Sequence, residues 1–293
     1  MFDRETKELT IQCAGVLAGE GEAIHQFRIC VRRLRGLIEL YQPLLQRDWG
    51  DRHRKELKFL GHSVGSLRDT DVLQQNLSDA AAKIDESLRD ALGPLQEALA
   101  ERRREQHKSA ITLLRSARYE AVVRELPAVA FKQAPSVEDR VASSELIRPL
   151  VRAVERGGAK LGRSSSPGEF HRLRIRIKRL RYALEMLDDV EKKPAKSVAK
   201  KLKRVQDILG LQHDLVTAVN WLREVTASTT MPAATLLAAG AVYQVLHRRI
   251  LKLLCRGWKR SKTIRSGAIL RDVIRAVPDT IQRSGRTHKA DAA

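Results

Sequence analysis

His25, Arg28, Arg32 and Arg35 follow one another at intervals of three, four and three residues in the segment His25-Gln-Phe-Arg-Ile-Cys-Val-Arg-Arg-Leu-Arg35. On a helix, that spacing gathers all four side chains into a stripe about 80° wide. Phe27, Val31, Leu34 and Ile38 fall on a separate apolar stripe that can bury while the basic one points elsewhere. Like charges one turn apart, with no carboxylate between them, repel by about a few tenths of a kcal/mol per pair. The chemistry available to such a face is anion binding. A planar guanidinium gives paired hydrogen bonds to phosphate oxygens and stays charged at any relevant pH, whereas a lysine acts more as a point charge. At about 1.5 Å per residue the stripe runs for about 15 Å, which suits an extended chain of phosphates better than a single phosphate ion.

One such face by itself reads as ordinary solvated surface. Here it recurs. His171-Arg-Leu-Arg-Ile-Arg-Ile-Lys-Arg-Leu-Arg181 repeats the pattern 146 residues later, with His171, Arg174, Lys178 and Arg181 on the basic stripe and Leu173, Ile177, Leu180 and Leu184 on the apolar one. A second pair follows at an offset of 145: Leu57-Lys58 through Gly65 to Asp69, and Leu202-Lys203 through Gly210 to Asp214. A repeated segment implies a repeated structure and a site related by pseudo-symmetry. Lys55 and Lys58, matched by Lys200 and Lys203, are expected to form a secondary wall of that site.

Other chemistries are less well supported. A metal site needs converging His, Cys or carboxylate ligands, and the neighbours of His25 and His171 are arginine and lysine, which repel a cation. The two histidines read instead as phosphate hydrogen-bond donors or as helix-start residues satisfied by backbone. Asp69, Asp71 and Asp214 follow Gly65 and Gly210 and read as carboxylates in the first turn of a new helix. A catalytic carboxylate pair is weakened by Val216, which stands opposite Asp71 in the second copy. A phosphohydrolase or phosphotransferase, the less favoured alternative, would need a metal-binding carboxylate cluster or an activated nucleophile with its base, and neither is evident, so the expectation is a binding protein, not an enzyme, with no cofactor and no metal.

The elements that must position these residues are helices. Nearly every segment between turn signals carries apolar residues at spacings of three and four, and alternating strand patterns are almost absent. The expected fold is all-α, with two helical-bundle repeats over 1–135 and 136–278 and a disordered tail over 279–293. Breaks are expected at Ala18 to Glu22, Gly61 to Ser66, Leu126 to Val137, Gly157 to Gly168, Lys192 to Pro194 and Ser228 to Pro232. The 293 residues carry 55 Lys+Arg against 35 Asp+Glu, a net charge of +20. That excess calls for a polyanionic partner: nucleic acid, an anionic membrane surface or a condensed phosphate, which composition does not rank. The apolar stretch Leu236 to Leu246 is too short to span a bilayer, so no membrane partner is expected. Three scattered cysteines and an N-terminus without an apolar signal core point to the cytoplasm.

These motifs resemble the CHAD family, a helical domain named for its histidines. The residues that carry the resemblance are His25-x-x-Arg28-x-x-x-Arg32-Arg33-x-Arg35 and Gly65-Ser-Leu-Arg68-Asp69-x-Asp71-Val72-Leu73 in the first half. In the second half they are His171-Arg-Leu-Arg174-Ile-x-x-Lys178-Arg179-Leu-Arg181-Tyr182-x-x-Glu185 and Leu202-x-x-Val-Gln206-Asp207-x-Leu-Gly210-x-x-x-Asp214. The similarity extends over about residues 3 to 275. It implies two pseudo-symmetric four-helix bundles whose basic helices face one another across a central groove or pore that binds inorganic polyphosphate. The ligands it implies are His25, Arg28, Arg32, Arg33, Arg35, Lys55 and Lys58 with His171, Arg174, Lys178, Arg179, Arg181, Lys200 and Lys203. Two positions depart from the pattern: Cys30 stands opposite Arg176, and Arg68 opposite His213. Family members accompany polyphosphate granules and are often attached to, or encoded near, a triphosphate-processing β-barrel, which would show alternating Glu and Lys on strands. No such pattern is visible in this chain. The alternative partner is nucleic acid, against which stand 4% aromatic residues and the lack of a recognisable reader module.

Overall fold

The computed structural model describes residues 1–130, 143–162, 164–191, 194–228, 230–265 and 273, and every regular element among them is helical. In chain order these are α1 (Phe2–Leu17), α2 (Gly21–Tyr41), α3 (Arg47–Ala81), α4 (Glu86–Arg89), a 3-10 turn (Asp90–Leu92), α5 (Gly93–Leu114), α6 (Ala117–Glu125), α7 (Ser143–Ala159), α8 (Pro167–Glu191), α9 (Pro194–Ser228) and α10 (Ala233–Arg265). The all-α expectation holds. Burial follows the sequence period: Ile24, Phe27, Val31, Leu34 and Ile38 of α2 are all inaccessible, as are Leu173, Ile177, Leu180 and Leu184 of α8.

The turn from α1 to α2 shows how local chemistry sets a helix pair. Gly19 adopts φ +79°, a left-handed conformation open to glycine at little cost. Its N–H bonds to Val16 O at 3.0 Å and that of Glu20 to Gly15 O at 2.9 Å, the paired bonds that close a helix C-terminus on glycine. The reversal presses Gly15 against α2, where an added Cβ would stand 2.4 Å from the Cβ of Ala23. Alanine is the better helix former by about 1 kcal/mol, yet Gly15→Ala is expected to lower stability by about 1–3 kcal/mol through overpacking. Urea denaturation checks this, and a midpoint equal to or above the wild type's would show that α1 can slide without cost.

One expected break is absent, and so is the helix start expected before Asp214. Gly61 to Ser66 lies inside the 35-residue α3, and Gly210 lies inside the 35-residue α9. A glycine within a helix costs about 1 kcal/mol relative to alanine, which packing can offset. At Gly61 the reason is proximity, since an added Cβ would meet Val31 Cγ1 at 3.1 Å. Asp69, Asp71 and Asp214 are therefore mid-helix residues and do not cap a helix start. The connections at Ala18 to Glu20, between α7 and α8 and between α9 and α10 fall where expected. Lys192 and Lys193, residues 131–142 of the expected inter-repeat boundary and the tail 279–293 lie outside the described residues.

Helices α1, α2 and α3 pack as neighbours with α5, and α1 closes onto α5. Helices α7, α8, α9 and α10 do the same, with α7 closing onto α10. The two groups meet where α2 packs on α8 and α3 on α9. Apolar burial ties them together: one hydrophobic cluster joins Phe27 and Leu34 to Leu173 and Ile177, and another joins Leu73 and Leu95 to Leu215 and Leu246. Each cluster thus draws on both 1–135 and 136–278. Among the described residues no helix is long and apolar enough to cross a membrane.

Candidate functional site

Each motif helix seats one arginine over a glycine of the helix that follows it. Arg28 of α2 lies against Gly65 of α3, where an added Cβ would stand 3.8 Å from its Nε, and Arg174 of α8 lies against Gly210 of α9 at 3.5 Å. At both glycines the guanidinium lies over the helix surface, in ordinary van der Waals range of where a Cβ would stand. Arg28 Nη1 donates to Gly65 O at 3.0 Å and to Asp69 Oδ1 at 2.7 Å. The same antiparallel register brings His171 onto His213, with ring centres 4.1 Å apart, and sets His25 in the field of Arg68.

The contact between α2 and α8 brings the two basic stripes together. The Arg32 guanidinium of α2 lies 4.7 Å from the centre of the Tyr182 ring of α8, and the Arg181 guanidinium lies 4.5 Å from the same ring. Arg181 is held by Gln206 Oε1 at 3.1 Å and Glu185 Oε1 at 2.5 Å. Cation–π contact of this kind stabilises by about 0.5–2 kcal/mol, and it holds an arginine from each half on one buried aromatic. Lys178 sits among Arg174, Arg32 and Arg28, with Asp214 opposing them. Burial and then those three cations push the Lys178 ammonium down to about 7.

Polar atoms in this cluster are left unsatisfied by the protein. Arg32 Nε, Arg35 Nε, Arg174 Nε and His171 Nδ1 are buried without a hydrogen-bond partner. Buried polar groups are nearly always paired, so Arg32, Arg174 and His171 together mark a site that awaits a partner, while Arg35 leaves a like group unpaired beside Glu39 and Arg179. Burial, and after it the neighbouring cations, lowers the pKa of Arg32, His25 and His171 and takes His213 down to about 4. The Arg174 guanidinium is also pushed down by burial, against the pull of Asp214. Burial raises the Asp214 carboxyl despite Arg174 and Lys178 beside it. The region is a half-buried cluster in which cations outnumber the carboxylates that face them.

Not every residue carried over from the motif joins this cluster. Arg33 turns towards α1, where its Nη1 lies 3.5 Å from Glu5 Oε1. Arg179, its counterpart, pairs at 3.2 Å with Glu39 of α2 and so ties the halves together at the rim. Arg35 feels Glu39, Arg179 and Arg54 around it. Lys55, Lys58, Lys200 and Lys203 are all exposed. Lys58 and Lys203 each precede the seat glycine by seven residues, about two turns on the same helix face, which sets them along the basic stripes. Arg176 lies against Gly157 of α7, so the departure at Cys30, which is buried, falls outside the cluster.

Four further residues contribute to the cluster. Tyr182 is the platform for two arginines, His213 is the stacking partner of His171, and Gly65 and Gly210 are seats for arginines. The last was detectable, because the glycines recur at an offset of 145 while their arginines recur at 146. For a metal the residues fit poorly: among the described residues no three His, Cys, Asp or Glu side chains converge.

The CHAD domain family model matches residues 1–223. The chain belongs to the CHAD domain family. Two solved structures share the fold. The CHAD domain of the plant Ricinus communis superposes with a TM-score of 0.70 at 22% identity, covering 97% of this chain and 92% of that one. PptA from Streptomyces chartreusis gives a TM-score of 0.72 at 17% identity, covering 89% and 96%. Uncharacterized proteins from two strains of Mycobacterium tuberculosis, CDC 1551 / Oshkosh and ATCC 25618 / H37Rv, are each 24% identical over 258 residues, 82% of this chain and 47% of theirs. This CHAD chain therefore spans about half the length of the curated relatives it matches.

Proposed function

We propose that this CHAD protein binds inorganic polyphosphate in the basic groove between α2 and α8, and that it thereby associates with polyphosphate granules. The observation that carries this reading is the convergence of Arg32, Arg174, Lys178 and His171, from both halves of the chain, with unsatisfied donors and a surplus of positive charge. A condensed phosphate supplies acceptors on every unit and offers no base or sugar that needs a partner of its own. Each guanidinium can engage it through paired, charge-assisted bonds. The ligand set of this reading is His25, Arg28, Arg32, Arg35, His171, Arg174, Lys178 and Arg181, flanked by Lys58 and Lys203. Arg33, Arg179, Lys55 and Lys200 lie at its margins.

Binding without turnover is the reading for the chemistry. Asp69, the carboxylate best placed to serve as a base, is engaged by Arg28 at 2.7 Å, and Asp214 faces Arg174 and Lys178.

The test is equilibrium binding of a long polyphosphate to the wild-type chain across a salt series, with duplex DNA of equal charge as competitor. By analogy with single-stranded nucleic acids, about six phosphate contacts imply an affinity loss of about two orders of magnitude from about 50 to about 200 mM salt. DNA is expected to displace the polyphosphate only in large excess. Equal displacement by DNA would move the assignment to nucleic acid, and failure to bind near physiological salt would remove it.

A further inference from the structure

The outer face of α7 carries a second concentration of guanidinium groups that the groove does not use. Arg148, Arg152 and Arg156 recur at four-residue intervals, which stacks them in a stripe about 80° wide and about 12 Å long. All three are exposed, and with Pro149 they line a concavity of about 290 Å³. Among the described residues none of the three makes a hydrogen bond or ion pair. Glu155, which the helical period places beside the stripe, pairs with none of them.

The corresponding helix of the other group provides a contrast. Helix α1 packs on α2 as α7 packs on α8, but its charges are compensated: Lys7 pairs with Asp3 at 2.8 Å and Arg4 with Glu5 at 3.1 Å. Helix α7 instead keeps like charges one turn apart, which destabilises a helix unless an external anion lies along it. The lining offers guanidinium groups and one proline, with no aromatic ring on which a base could stack. Bare phosphate chemistry fits this face better than nucleic acid does.

We propose that the Arg148, Arg152 and Arg156 face of α7 is a second anion site, which takes another stretch of a long polyphosphate chain already held in the groove. This rests on the polyphosphate reading of the groove. It makes affinity depend on chain length, because a tethered second stretch binds at high effective concentration while a short chain reaches one site only.

The experiment compares tripolyphosphate with a long polyphosphate on the full chain, for the wild type and for Arg148→Ala/Arg152→Ala/Arg156→Ala. Arg248→Ala/Lys252→Ala/Arg256→Ala serves as reference, since it removes the same charge from an exposed face of α10. The α7 variant is expected to lose roughly tenfold or more in affinity for the long chain and to keep its affinity for tripolyphosphate, with a much smaller loss in the reference. The glutamine version of the α7 variant, which keeps long polar side chains, is expected to show the same loss. Unchanged long-chain binding, or an equal loss in the reference variant, overturns the proposal. A long-chain component that depends on α7 but is displaced equally well by duplex DNA makes the face a general phosphodiester surface and overturns it too. If the wild type binds neither polyphosphate, the groove reading fails first and this one falls with it.

Discussion

Arg28→Ala/Arg174→Ala is expected to weaken binding of long polyphosphate by at least about a hundredfold, with a melting temperature equal to or above that of the wild type. The affinity estimate follows from truncating two charge-assisted contacts at about 2 kcal/mol each or more, with some loss of additivity because both groups would hold one chain. The stability side has a separate origin. Arg174 Nε is buried with no partner, and its guanidinium lies in the field of Arg28. Removing a buried unpaired donor relieves its desolvation penalty, about 1–3 kcal/mol. Arg28 has Asp69 as its partner, but that carboxylate is mostly exposed and returns to water when the arginine is gone. The conserved-size variant Arg174→Met isolates the second effect and is expected to melt higher than the wild type. Isothermal titration and thermal denaturation on the same samples check both. Undiminished binding sinks the site, and a large drop in melting temperature would mean that the arginines serve the fold.

Affinity is also expected to fall by roughly tenfold for each pH unit above about pH 7.5, through Lys178. In the free protein Lys178 loses its proton near pH 7, because burial and the surrounding Arg174, Arg32 and Arg28 outweigh Asp214. A phosphate chain against the ammonium favours its charged form and lifts that pKa. Between the two values the complex holds more protons than the free protein does. Affinity from this group is therefore fully developed below about pH 7 and lost as pH rises towards the bound value, and at pH 8 binding takes up about one proton. His171 and His213 act in the same direction at lower pH. Both are depressed, His213 to about 4, so binding raises them and affinity grows further as pH falls below the ordinary histidine range. Titration at pH 8 in two buffers of different ionisation enthalpy counts the protons. Lys178→Met is expected to bind more weakly at pH 7 and to lose the slope above pH 7.5. Tight binding with no proton uptake in the wild type would show that the lysine does not face the ligand.

Much of this site was legible because helix periodicity is local. The placement of His25, Arg28, Arg32 and Arg35 on one face, apart from the buried Phe27, Val31 and Leu34, follows from 3.6 residues per turn and needs no knowledge of the rest of the chain. The all-α fold follows from the same period repeated throughout. What a glycine does is less local. Gly65 and Gly210 read as preceding new helix starts, since flexibility is the signal that glycine carries in sequence. In the folded chain each lies mid-helix with an arginine of the preceding motif helix packed over it.

Adjacent cations were also indistinguishable before the fold was known. Arg32 and Arg33 differ by one residue, which is about 100° of rotation, and that angle sends one towards Tyr182 and the other to Glu5. The sequence by itself determined the helices, the repeated basic faces and the charge that demands an anion, all of which depend on spacing and composition. Only the tertiary structure decided that α2 meets α8. That contact carries Lys178 into the field of three arginines and leaves buried donors without acceptors, because desolvation and Coulomb repulsion depend on which distant groups are brought together.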